Sequence, residues 1–125
     1  MSQMFSSAGP SMAFNGDISK WQTHNVLKMK SMFNAGEVEE GEKHAFNSDL
    51  SLWNIGKCVD IASMFADCKE FNSDLSKWDL RSVVDASNLF AGAEAFNADV
   101  SDWNVASIRL MVSFVFLLAL FLFFC

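Results

Sequence analysis

Asp17, Asp49, Asp74 and Asp99 recur at one place in a repeated pattern, each two residues after an asparagine: Asn15, Asn47, Asn72 and Asn97. If the repeats stack, these carboxylates lie roughly 4.8 Å apart between neighbouring coils. They would then repel unless hydrogen bonds or cations relieve them. Calcium takes about six to eight oxygen ligands, so one aspartate per coil is too thin a shell, and capping of a turn by the aspartate side chain is the expected role. Stacked asparagine amides can satisfy the backbone groups of successive coils, which makes that series a structural ladder; a recognition stripe is the functional alternative and needs the amides to face solvent. Trp21, Trp53, Trp78 and Trp103 form a third series, expected in the core, with an exposed aromatic stripe as its alternative.

The remaining reactive residues do not converge. His24 and His44 fall at unrelated repeat positions. Cys58 aligns with Val26, Val83 and Ile108, and Cys68 with Ala93, so both read as buried free thiols. Cys58, Cys68 and Cys125 are too few and too irregularly spaced for a disulfide framework or a zinc site. No catalytic residue, cofactor or metal is expected, and the chain is not read as an enzyme. Nine Lys and Arg against fifteen Asp and Glu give a net charge of −6, which repels a phosphate backbone and argues against nucleic acid as a partner.

Two blocks position these residues. Phe14-Asn15-Gly16-Asp17-Ile18-Ser19-Lys20-Trp21 returns at Phe46 to Trp53, Phe71 to Trp78 and Phe96 to Trp103, with Phe-to-Phe spacings of 32, 25 and 25. The seven extra residues of the first interval are placed at 37–43, an acidic loop. The second block begins eight residues after each Trp, as Met29-Lys30-Ser31-Met32-Phe33, Ile61 to Phe65 and Ala86 to Phe90; it also opens the chain as Met1 to Phe5 and returns, degraded, at Met111 to Val115. The array starts in mid-unit and neither end has a terminal repeat with a polar outer face, so the sequence reads as a fragment or an incomplete gene model.

Apolar residues follow the Trp at offsets of 2, 5, 8, 11 and 12, as in Ile55, Cys58, Ile61, Met64 and Phe65. The last three have the spacing of a short helix face. The short alternating pattern about the Trp predicts a strand of a few residues or an extended turn. One strand, one helical turn and two bends fill a unit of this length, which predicts an α/β solenoid of the leucine-rich-repeat kind over residues 1–109, with about four coils, short parallel strands and short helices.

The two blocks resemble those of the BspA-like leucine-rich-repeat surface proteins, over roughly residues 1 to 115. The resemblance implies a surface-displayed module for adhesion or protein binding, with an unidentified protein or surface ligand as partner and no catalytic residues. Thr23, Ala86, the acidic insertion and everything after Val115 depart from the family pattern. The expected function is a non-catalytic binding or adhesion module at the membrane or cell surface. A structural spacer of a larger surface protein is the alternative, favoured by the unlike residues Lys20, Leu52, Lys77 and Asp102 at one outward position.

Residues 110–125 are apolar apart from Ser113. As a helix of about 24 Å they are short of a hydrocarbon core of roughly 30 Å. Three readings stand: a short membrane anchor, translation of an incorrect reading frame or unspliced sequence, and an apolar helix packed on the open end of the stack. The start of the chain, Met1 to Phe14, has neither the basic residues nor the apolar run of a secretory signal.

Overall fold

Three-residue steps between apolar positions govern the backbone. Through the second coil and into the start of the third, Trp53 N–H donates to Leu50 O at 3.0 Å, Cys58 N–H to Ile55 O at 2.8 Å, Met64 N–H to Ile61 O at 3.2 Å, Cys68 N–H to Phe65 O at 3.1 Å and Phe71 N–H to Cys68 O at 3.1 Å. Each bond closes a four-residue turn whose two ends point inward. Leu50, Trp53, Ile55, Cys58, Ile61, Met64, Phe65, Cys68 and Phe71 are all buried, while turn centres such as Leu52, Lys57, Lys69 and Glu70 are exposed. The coil is therefore a closed chain of turns.

The computed structural model describes residues 1–5, 14–36 and 45–112. They form four coils, here numbered 1 (14–36), 2 (45–70), 3 (71–95) and 4 (96–112), with residues 1–5 as a partial coil beneath the first. Neighbouring coils are joined through alternate backbone groups of the second block. Met29, Ser31, Phe33 and Ala35 N–H donate to Asp60, Ala62, Met64 and Ala66 O at 2.8 to 3.0 Å, and Ile61, Ser63 and Phe65 N–H donate to Asp85, Ser87 and Leu89 O at 2.8 to 3.1 Å. Isolated parallel bridges run Lys28 to Asp60 to Asp85 to Leu110.

The expected α/β architecture of short helices and strands, and with it the leucine-rich-repeat form of the coil, is overturned. Among the described residues there is no helix, and pairing does not extend beyond single bridges. The physical reason lies at the third position of the second block, where Gln3, Ser31, Ser63 and Asn88 have φ of 59°, 53°, 54° and 56°. A left-handed residue interrupts a right-handed helix, and it turns a strand out of its pleat after one bridge.

The transmembrane-helix expectation for 110–125 is corrected as well. No helix among the described residues is long and apolar enough to cross a membrane, and Leu110 and Val112, where the span was to start, instead accept backbone bonds from Ala86 and Asn88 as part of coil 4. Residues 113–125 lie outside the described residues, as do the acidic insertion 37–43, His44 and Cys125.

The core consists of aromatic columns. Phe5, Phe33, Phe65 and Phe90 stack with centroid separations of 5.6 to 5.8 Å, Phe46, Phe71 and Phe96 with 5.7 and 5.8 Å, and Phe65 also lies 4.1 Å from Phe71, which opens the next coil. Burial of each such side chain is worth about 1.5–3 kcal/mol. Stacked pairs add roughly 0.5–1.5 kcal/mol.

Candidate binding surface

All three residue series form columns along the stack. The asparagine column is a directed ladder: Asn15 Oδ1 accepts Asn47 N–H at 2.9 Å, Asn47 Oδ1 accepts Asn72 N–H at 2.8 Å, and Asn72 Oδ1 accepts Asn97 N–H at 2.8 Å. Each amide thus bonds the backbone one coil further on, although the side chains lie at the solvent-facing edge. The ladder is structural, and it is also exposed.

The aspartates cap turns. Asp17, Asp49, Asp74 and Asp99 accept the N–H of Ser19, Ser51, Ser76 and Ser101 through Oδ1 at 2.9 to 3.0 Å, and Ser19 Oγ also donates to Asp17 at 2.6 Å. These bonds favour the ionised form and hold all four carboxyls below the usual aspartate range. In Asp17 and Asp99 the serine hydroxyl is the larger cause, in Asp49 and Asp74 the serine N–H. Neighbouring carboxylates act the other way: Asp74 and Asp17 push Asp49 up, and Asp74 pushes Asp99 up. A shallow open groove lies on this face, lined by Asn72, Asp74, Ser76, Ala98 and Asp99.

Trp53, Trp78 and Trp103 are buried, with indole N–H groups that donate to Ile18, Leu50 and Leu75 O at 2.9, 3.1 and 2.9 Å. Trp21 lies 5.7 Å from the Phe5 ring of the partial coil and is 37% exposed. Cys68 is buried and donates to Phe33 O at 2.9 Å; burial pushes its thiol up to about 12. Burial likewise pushes the Cys58 thiol up, so both are poor nucleophiles near neutral pH. His24 is exposed. Among the described residues, no three or more His, Cys, Asp or Glu side chains are grouped to hold a metal ion.

Residues 1–119, which include every copy of the first block, match the sequence family described as "Mycoplasma protein of unknown function, DUF285". The chain belongs to that family. No curated protein and no solved structure matches it.

The DUF285 coil also uses residues that motif reading passed over. Ser48 Oγ donates to Gly16 O at 3.0 Å, and Ser73 Oγ accepts Leu50 N–H at 3.1 Å; both serines are buried. The available signal was size, since that position holds Gly16, Ser48, Ser73 and Ala98. Thr23, which departs from the apolar pattern, donates through Oγ1 to Asn54 O at 3.1 Å and accepts Asn54 N–H at 3.0 Å, so its hydroxyl is satisfied where it is buried.

Another column faces outward. Leu27, Val59 and Val84 are 57%, 36% and 41% exposed, and they sit directly above one another because Val59 N–H donates to Leu27 O at 2.8 Å and Val84 N–H to Val59 O at 2.9 Å. Arg109 continues the column, its N–H donating to Val84 O at 2.9 Å. Lys28, Asp60 and Asp85 flank it on the bridged side.

Proposed function

We propose that the chain is a non-catalytic repeat module that binds a protein or surface ligand through the outer face of its stacked coils. We also propose that its kinship extends, through the two repeated blocks, to the BspA-like surface proteins, which would place it at the cell surface. The exposed apolar column of Leu27, Val59 and Val84 supports the binding reading. Apolar area left in water forgoes about 25 cal/mol per Å² of burial. A column of such side chains fixed on a hydrogen-bonded backbone needs no ordering of its own to be covered by a partner.

The test compares adhesion of beads carrying the chain with beads carrying a Leu27→Gln, Val59→Thr, Val84→Thr variant, on cell surfaces. Exposed substitutions of this kind change stability by within about 0.5 kcal/mol, so loss of adhesion at an unchanged unfolding midpoint is the expected outcome. Unchanged adhesion would favour the spacer reading. That alternative draws on Lys20, Leu52, Lys77 and Asp102, which occupy one exposed position with no common chemistry.

A further inference from the structure

Asn15 differs from the asparagines stacked on it in two respects that bear on its amide chemistry. It precedes the chain's one Asn-Gly step. Its Oδ1 accepts the ladder bond from Asn47 N–H at 2.9 Å and also lies 3.1 Å from Ser48 Oγ, whose one proton is shared between this oxygen and Gly16 O at 3.0 Å. Among the described residues the next rungs show no such hydroxyl: Ser73 Oγ is seated at Leu50 N–H, from which it accepts, and Ala98 has no hydroxyl.

Attack of a backbone nitrogen on the preceding side-chain amide is easiest where the next residue is glycine, because no Cβ hinders the approach. Negative charge then develops on Oδ1. Asn47 N–H already donates to that oxygen, and the Ser48 hydroxyl turns to it from Gly16 O as the charge grows, so both stabilise the tetrahedral intermediate as the donors of an oxyanion hole do. Asn15 and Gly16 are both exposed, so water and hydroxide reach the site and ammonia can leave.

We propose that Asn15-Gly16 is a self-modification site, at which the chain converts Asn15 through a cyclic succinimide into aspartate and isoaspartate. Hydroxide removes the Gly16 N–H proton, the bond from Gly16 N to Asn15 Cγ forms, and the bond from Cγ to Nδ2 breaks, the nitrogen leaving as ammonia with a proton from water. Water then opens the ring at one carbonyl or the other. No electrons are gained or lost. Either product adds a negative charge next to Asp17. The isoaspartate product also adds a methylene to the backbone leading to Gly16, whose carbonyl accepts Ser48 Oγ–H at 3.0 Å, so the mark falls on the first rung of the ladder.

The experiment is peptide mapping by mass spectrometry of the full chain held in mildly alkaline buffer, folded and in urea. Asn15 should gain the amide-to-acid mass before Asn47, Asn72 or Asn97, and no more slowly in the folded chain than in urea. Ser48→Ala, which removes one donor from Oδ1, should slow the folded-state reaction several-fold. Gly16→Ala is a weaker control because its Cβ would meet the Phe14 ring at 2.9 Å. An Asn15 that stays intact when folded but reacts in urea overturns the proposal, because the ladder then protects the amide. An unchanged or faster rate in Ser48→Ala overturns it as well.

Discussion

A carbonyl oxygen has two lone pairs, and in coils 1 to 3 the carbonyl just before the turn serine uses both. Leu50 O accepts Trp53 N–H at 3.0 Å within its own turn and Trp78 Nε1–H at 3.1 Å from the next coil. Ile18 O and Leu75 O are used in the same way. This explains why the repeat carries tryptophan rather than another large aromatic: its ring fills the core and its N–H closes the coil beneath. Trp78→Phe should therefore cost roughly 1 kcal/mol for the lost hydrogen bond, in addition to the smaller ring, with Leu50 O still bonded within its turn. Asn72→Ala removes the acceptor of Asn97 N–H at the solvent edge and should cost about 0.5–1.5 kcal/mol. Lys77→Ala, also exposed, should stay within about 0.5 kcal/mol. Urea unfolding midpoints check all three, and equal shifts for Asn72→Ala and Lys77→Ala would show that the ladder carries no stability. The series themselves were readable from the repeat. Their hydrogen-bond direction was not, because equal spacing does not say which coil donates.

At the level of the element, the apolar positions were readable and the conformation was not. The spacing of Ile61, Met64 and Phe65 fits one face of a helix and fits a four-residue turn with both ends buried equally well. The longer run separates the two. Ile55 and Met64 are nine residues apart, about two and a half helical turns, so a helix would place them on opposite faces, yet both are fully buried in one core. Only turns chained at three-residue steps keep Ile55, Cys58, Ile61 and Met64 on the same side. The left-handed residue that enforces this is a glutamine, serine or asparagine, types compatible with many conformations, so it gave little warning. Ser63, at φ 54°, is the position to test. Ser63→Val should destabilise, because Ser63 already bears the roughly 1–2 kcal/mol that a left-handed conformation costs a residue with a Cβ and branching adds to that clash. Ser63→Gly is free of that clash but loses more backbone freedom on folding, and the two offset to hold the midpoint near that of the unchanged chain. The same backbone predicts a far-ultraviolet circular dichroism spectrum for the coil array without the double minimum of helix, and a strong helical signal would contradict the turn assignment.

At the scale of the whole molecule, each coil touches only its neighbours, so any property repeated once per coil becomes a column. This is why the apolar column of Leu27, Val59 and Val84 was not visible in sequence: an apolar residue between buried Cys58 and half-buried Asp60 looks like more core until the turn directs it outward. It is also why the aspartates act together. Asp17, Asp49, Asp74 and Asp99 all have folded-state values below the ordinary 3.8. A carboxyl shifted in that direction contributes stability that is complete above its ordinary value and is lost as pH falls through the lowered one. Repulsion along the column works against this, since Asp74 and Asp17 raise Asp49, yet it ranks below the serine bonds among the causes. The urea midpoint should therefore be flat across neutral pH and fall below about pH 4, where aspartates begin to protonate. Ser101→Ala removes the largest cause of the Asp99 shift, leaving the N–H bond, so the Asp99 carboxyl should titrate nearer its ordinary value and the acid loss should shrink. Carbon-detected titration of the four carboxyls, read beside the midpoints, checks both statements. A midpoint that rises on acidification would mean that repulsion between stacked carboxylates outweighs the capping bonds.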